Sequence, residues 1–446
     1  MTERKLRGGG KDWAAITRRT FLKGGAGLAG ATALSGIPGI LAAGQAPAYP
    51  KGTKLHMLQW MSTVPAGDKV FLGQAAEFGK QMGVEVEIER IGVNDVRTRT
   101  AAGIVTNSGP DIILLDMNWP HLFADGLADV SDVAEAIGQE QGGYYECSRV
   151  TAIVDGRWLG VPHHVSGQGM AYREDWFKEA DIARPPDTWD EFREVGKKLK
   201  AMGRPIGQAF GHSENDPNTF CYAVLWGFGG YEVEPDGKTV ALNKGGALGA
   251  IRYVVALWKD ALDESGLSWD DATNNRAFLS GTLSVTLNSP SIYTVAGEKV
   301  PDVYKAMNHF LIPKGPAGGR FIQLPTRNAA VMKYSKNQGL AKEFIRWYMA
   351  KPQYDAWFQA MNTFAIPPTK IWYNHPLWTK DPKLTMYRDV IRDARCAGYA
   401  GPPTRKASEA LAKYIVVDMF AKAIQGVAPE ESLKWATQEL NKIYTG

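Results

Sequence analysis

Cysteine is nearly missing from this chain: Cys147, Cys221 and Cys396 are the only three in 446 residues. An odd, widely spaced set without a Cys-x-x-Cys pair excludes a disulfide-stapled scaffold and a thiolate metal centre. At most one disulfide can form, and buried free thiols are the plainer state. Charge of one sign is also lacking. The 51 Lys/Arg outnumber the 47 Asp/Glu by four, but residues 1–48 hold seven of the basic and two of the acidic residues, leaving 44 against 45. A near-neutral body leaves no electrostatic footprint for nucleic acid or an anionic membrane surface. Gly-x-Ser-x-Gly, His-Glu-x-x-His and Walker sequences are absent, and no Ser, Cys or His has an obvious partner for nucleophilic chemistry. The expectation is a protein that is not an enzyme and needs no cofactor or metal.

What is present begins with Thr17-Arg18-Arg19-Thr20-Phe21-Leu22-Lys23, followed by a Gly/Ala-rich run from Gly24 to about Ala43 without an acidic residue. This resembles a twin-arginine export signal. Glycine and alanine bury too little apolar area for the run to serve as a transmembrane helix. Gly25-Ala26-Gly27-Leu28-Ala29-Gly30 fits the dinucleotide-binding pattern, but the export motif stands where that pattern needs a strand, and signal composition explains it. Cleavage after Leu41-Ala42-Ala43 or Ala46-Pro47-Ala48 makes residues 1–48 the signal and Tyr49 the mature start, with no cysteine there to carry a lipid. The expected location is the periplasm, reached through the twin-arginine translocase.

The remaining length exceeds what one hydrophobic core usually serves, so two domains are expected. Lys54 to Trp60 reads as a strand. Phe71, Ala75, Phe78 and Met82 recur at helical spacing up to Gly83, and Val84, Val86 and Ile88 then alternate as a strand. A polar helix from about Asp95 to Asn107 leads into the continuous apolar run Asp111-Ile-Ile-Leu-Leu115, typical of a strand covered on both faces. This is βαβ organisation around a largely parallel sheet. A second α/β region opens with the capping-box sequence Thr188-Trp189-Asp190-Glu191, and further helices read near Ala247–Glu264, Gln338–Met349, Gln353–Ala360, Lys406–Gln425 and Pro429–Tyr444. Strands read near Leu283–Leu287 and Asn328–Lys333.

Several of these segments together resemble family 1 extracellular solute-binding proteins, the group of the maltose-binding protein and other sugar-binding components of ABC importers. They are Gly109-Pro-Asp-Ile-Ile-Leu-Leu-Asp116, Gly156-Arg-Trp-Leu-Gly-Val-Pro162 running to Tyr172-Arg-Glu-Asp-Trp-Phe177, Pro185-Pro-Asp-Thr-Trp-Asp-Glu-Phe192, Phe278 to Pro290, and Leu311-Ile-Pro-Lys-Gly-Pro316 with Ala341 to Ile345 downstream. The resemblance implies a periplasmic-binding-protein-like α/β fold of two lobes, a ligand cleft between them and three hinge crossings. The crossings fall near His163–Gln168, His309–Pro313 and Met349–Gln353, giving an N-terminal lobe of residues 49–164 and 312–351 and a C-terminal lobe of 165–311 and 352–446. It also implies a monomer that captures a small polar solute, a sugar or sugar derivative, for the membrane permease subunits of an ABC transporter. Two stacking positions of the family are not aromatic here, where Ser291 and Lys413 stand, which argues against a long maltodextrin. An anionic ligand such as glycerol phosphate or a sugar acid, and an exported polysaccharide-acting enzyme, are the alternatives.

Sugars are recognised by aromatic faces and by planar carboxylate, amide or guanidinium groups that bridge hydroxyls. Trp60, after the first strand, either faces a ligand or packs at the hinge. Asp116, Asn118 and Trp119 follow the buried strand and emerge at its carboxyl edge, where sites in open α/β sheets form. His163 and His164 lie at the first crossing; no third ligand at metal spacing accompanies them. Asp216 and Trp226 occupy a loop and helix of the second lobe, the tryptophan within an aromatic-rich run that can equally be core. Asn288 ends a strand. Arg327 is suited to a carboxylate or phosphate, or to an inter-lobe ion pair. Trp372 sits in a proline-flanked loop able to close over a cleft or to line an interface.

Overall fold

A computed structural model describes residues 49–446; the signal sequence and its cleavage sites lie outside the described residues. The apolar periodicities place the elements where expected. Helix Pro65–Met82 buries Phe71, Ala75 and Phe78 and stops at Gly83, whose φ of 69° is the left-handed conformation glycine adopts without strain. Strand Ile112–Asp116 is buried at every position, as its unbroken apolar run requires, whereas Glu85–Ile91 is half-exposed and lies at a sheet edge.

Six strands form the larger sheet in the order Ala365–Ile366, Val161–Ser166, Thr326–Val331, Ile112–Asp116, Lys54–Trp60, Glu85–Ile91. The last three run parallel, but Thr326–Val331 is antiparallel to both neighbours and Ala365–Ile366 is antiparallel to Val161–Ser166. The sheet is therefore mixed rather than largely parallel. A second sheet orders Met307–Phe310, Gly169–Arg173, Val285–Asn288 and Ile206–Gly207. The two sheets are the centres of two α/β lobes.

Chain crossings follow from which sheet each segment joins. The first lies at Gly167-Gln168, between Val161–Ser166 and Gly169–Arg173. The second lies later than His309–Pro313. Lys314 bridges Thr188, and Gly315 packs so closely on Gly227 that an added Cβ would meet the Gly227 carbonyl oxygen at 1.8 Å, which keeps residues 312–320 with the second lobe. The return comes at Leu324-Pro325, just before Thr326–Val331. The third crossing also lies later than Met349–Gln353. Helix Lys351–Met361 packs on helix Pro65–Met82, Ala365–Ile366 joins the larger sheet, and Trp378 packs on Phe358. Asp381 and Lys383 then bond to the second lobe, through the Tyr293 hydroxyl at 2.6 Å and the Met307 carbonyl at 2.6 Å.

The helix expected over Lys406–Gln425 is two, Arg405–Ala412 and Ile415–Ile424, broken where Tyr414 takes φ 55°. The break turns the Tyr414 ring onto His212, stacked at 4.5 Å, and its hydroxyl to Glu214 at 3.2 Å. Thr188 caps helix Trp189–Ala201 by accepting the Glu191 N–H at 3.2 Å. Among the described residues no helix is long and apolar enough to cross a membrane.

Candidate ligand-binding site

Between the lobes lies a cavity of about 360 Å³ lined by Trp60, Thr63, Ser166, Gln168, Asn215, Asp216, Asp271, Asn275, Asn288, Ser289, Ser291, Pro325, Arg327 and Phe364. Both lobes contribute. The first supplies the Trp60 and Phe364 rings, 6.1 Å apart, with Arg327; the second supplies a dense amide, hydroxyl and carboxylate wall.

That wall is held by its own network. Asn288, at the end of strand Val285–Asn288, donates to Asn275 Oδ1 at 2.5 Å and accepts at Oδ1 from the Ser289 N–H at 2.8 Å and the Ser291 hydroxyl at 3.1 Å. Asp216, the first residue of helix Asp216–Gly227, accepts from Asn274 at 2.7 Å, while Asp271 accepts the Asp216 N–H at 2.8 Å and the Asn215 side chain at 2.9 Å. Ser291 is small enough to stand inside the wall; an aromatic ring there would fill the cavity it lines.

Arg327 is 2% exposed, pairs with Asp116, lies over the Trp60 ring at 4.8 Å and reaches across the cleft to Asn215 Oδ1 at 3.4 Å. Burial pushes the Asp116 carboxyl up to about 6 against the pull of Arg327. A second contact between the lobes lies beside the cavity. Arg97 donates to the Ala412 carbonyl at 2.8 Å and faces Glu214 at 3.6 Å, and the Glu214 N–H donates to Asn94 at 3.2 Å. Burial raises the Glu214 carboxyl to about 7 in spite of Arg97.

Of the residues singled out from sequence, Trp60, Asp216, Asn288 and Arg327 line the cavity. Asp116 stands next to it as the partner of Arg327. Asn118 does not line it, donating instead to the Ala397 carbonyl at 3.1 Å, and Trp119 is buried beneath Arg97 at 5.1 Å. His163 and His164, their Nδ1 atoms 2.7 Å apart, lie on the far side of Trp60 in a second, smaller cavity shared with Trp357. Burial drives the His163 imidazole down to about 3 and that of His164 well below its ordinary value, so both are neutral. Trp226 packs in the second lobe against Tyr222 and Tyr399, and Trp372 is held by Gln141 at 3.2 Å and packs on Tyr354 and Phe358; neither reaches the cavity. Lys413 pairs with Glu409 on its own helix at 2.7 Å. Sequence reading missed Phe364, Gln168, Asp271 and Asn275 as lining residues. For the last two a signal existed: Asp270-Asp271-Ala272-Thr273-Asn274-Asn275 is a polar run that leads into and opens helix Thr273–Leu279.

Among the described residues no three His, Cys, Asp or Glu side chains gather as a metal site, and the three thiols are free. What the arrangement can do is enclose a small polar molecule, with rings on one side and hydrogen-bonding groups on the other.

The comparisons with known proteins agree with this geometry. Residues 64–355 match the family described as bacterial extracellular solute-binding protein. An ABC transporter-binding protein of Deinococcus radiodurans is 25% identical over 355 residues, covering 75% of this chain and 80% of the relative. The diacetylchitobiose-binding protein DasA of Streptomyces coelicolor is 26% identical over 285 residues, or 61% of this chain and 64% of that one. In fold, the maltose-bound MalE3 of T. maritima superposes with a TM-score of 0.76 at 21% identity, covering 88% of this chain and all of its own (100%). A sugar transporter protein of Arthrobacter chlorophenolicus with bound laminaribiose reaches 0.76 at 17% identity over 87% of this chain and 99% of its own. With two lobes, an enclosed cleft and a family match over most of its described length, this chain belongs to the bacterial extracellular solute-binding proteins.

Proposed function

We propose that this protein is the periplasmic substrate-binding component of an ABC importer, exported by the twin-arginine pathway, that captures a small sugar or sugar derivative. One observation carries the ligand class: a cavity that pairs the Trp60 and Phe364 rings with the amide, hydroxyl and carboxylate wall around Asn288 and Asp216. Rings bind the C–H faces of a pyranose or polyol, and planar polar groups bridge its hydroxyls. Lobe closure does the work. Ligand that touches both walls binds the closed state better than the open one and shifts the population toward the shape the permease subunits accept. The protein acts as a monomer, without catalysis and without a cofactor.

The charge distribution weighs against the anionic ligand considered from sequence. Arg327, its anchor, is already paired with Asp116, and Asp216 and Asp271 line the same cavity. A phosphate or carboxylate would meet two carboxylates there, beside a guanidinium whose charge is already matched by Asp116.

The test is a thermal-shift screen of mono- and disaccharides, polyols, sugar acids and glycerol phosphate, followed by calorimetry on the hits. A ligand that stabilises the native state by mass action raises the melting temperature. A sugar hit weakened about tenfold or more by Trp60→Ala supports the reading, since losing an aromatic stacking face costs about 1–2 kcal/mol. Hits confined to the acids and phosphates would overturn it, and turnover of any compound would overturn the absence of catalysis.

A further inference from the structure

Counting charge in the closed cleft leaves two carboxylates over. Asp116 is matched by Arg327 and Glu214 by Arg97, whereas neither Asp216 nor Asp271 has a Lys, Arg or His within ion-pair distance among the described residues. Their hydrogen bonds come from neutral donors: Asn274 at 2.7 Å and Asn288 at 3.4 Å to Asp216, and the Asn215 and Asp216 N–H groups at 3.2 and 2.8 Å to Asp271. Asp270 adds further negative charge nearby. Asp216 is buried and Asp271 is partly exposed beside it, and a buried carboxylate without a counter-charge either keeps a proton or takes a cation.

The cavity also holds polar atoms without a partner among the described residues, the Thr63 and Ser166 hydroxyls and Arg327 Nε among them. Gln168, 4% exposed and at the first crossing, lines it with an amide oxygen that has no partner among the described residues. A hydroxyl brings one donor and itself asks for another. An ammonium brings three donors, no acceptor and a positive charge.

Resting on the sugar reading above, we propose that the ligand is an amine-bearing sugar or aminocyclitol, its ammonium held at the Asp216–Asp271 wall while the carbon ring lies against Trp60 and Phe364. The amine supplies the positive charge that the Asp216–Asp271 wall lacks, and its neutral counterpart does not. The preference for nitrogen over hydroxyl is set by the second lobe, and ring stacking by the first.

The probes are matched disaccharides titrated by calorimetry at neutral pH: chitobiose with free amines, N,N′-diacetylchitobiose and cellobiose, with glucosamine against glucose as the smaller pair. The expected result is an affinity for the amine at least about tenfold above its neutral counterpart. Asp216→Asn and Asp271→Asn each bring that ratio towards one. Because Asp216 is buried and its variant can fail to fold, the half-exposed Asp271 provides the independent measurement. Neutral members binding as tightly as the amines, or a ratio unchanged in Asp271→Asn, overturns this proposal and leaves the sugar reading standing. Binding of no member of either series overturns both.

Discussion

Replacing Arg327 by methionine separates the two roles of this residue. The guanidinium is fully buried and its main partner is Asp116, so the substitution leaves a carboxylate in the interior without its cation. In the parent that carboxyl has already been lifted by burial from its ordinary 3.8 to about 6. A raised carboxylate destabilises the native state as pH climbs from the unfolded value towards the folded one, by about 1.4 kcal/mol per pH unit, and the loss levels off once the folded carboxyl ionises. Without Arg327 it stays protonated beyond pH 7.5, so at that pH the variant loses about 2 kcal/mol more than the parent from this source. At pH 5 the carboxyl is largely protonated in both proteins, and this difference vanishes. Arg327 also holds the neighbouring histidines down, so its removal favours the variant further at low pH. The assay is urea unfolding of parent and Arg327→Met at pH 7.5 and 5.0, with Asp116→Asn added to the variant. The expected result is a stability gap that shrinks by about 2 kcal/mol on acidification and closes similarly when Asp116→Asn is added at pH 7.5. An equal gap at both pH values, or no rescue by Asp116→Asn, refutes it.

His163 and His164 are neutral because burial holds their proton affinity down, so their contribution to stability is present above about pH 6.5 and is lost on acidification at about 1.4 kcal/mol per pH unit for each proton taken up. The lifted Asp116 and Glu214 act in the opposite sense, so the readout is a difference: His163→Gln/His164→Gln gains on the parent between pH 7 and pH 5 in urea unfolding, and a constant offset would contradict it. Thr188→Ala removes the cap of helix Trp189–Ala201 and lowers stability by about 1 kcal/mol, with Thr188→Ser close to the parent. Gly315→Ala drives a methyl into the Gly227 carbonyl and lowers the melting temperature by several degrees, about 1–3 kcal/mol of overpacking; an unchanged melting temperature would show that the two backbones separate easily. Glu214→Gln, which weakens the facing of Arg97 across the cleft, shifts the population toward the open state and is read as a larger radius of gyration in solution scattering without ligand.

The sequence alone determined the elements and the family of the fold. Strand Ile112–Asp116 and helices Pro65–Met82 and Trp189–Ala201 were legible because each carries its own burial pattern or cap within a short window. Trp60, Asp216, Asn288 and Arg327, which line one cavity, were legible as candidates because they stand at the ends of strands or the start of a helix, where polar groups emerge. Tertiary structure decided the rest. Phe364, Gln168 and Asp271 come to one cavity from segments about 100 residues apart, and nothing local distinguishes them from core, hinge or surface residues. Trp226 and Trp372 look like stacking platforms in sequence, yet they are filled in by Tyr222 and by Phe358. The two later crossings moved because Gly315 lodges against Gly227 and Ala365–Ile366 pairs with the larger sheet, contacts between distant segments that no periodicity encodes. Charge in the cleft was hidden for the same reason. Whether a carboxylate has a counter-charge depends on which arginine the fold brings within about 4 Å of it, and here Asp116 and Glu214 received one while Asp216 and Asp271 did not.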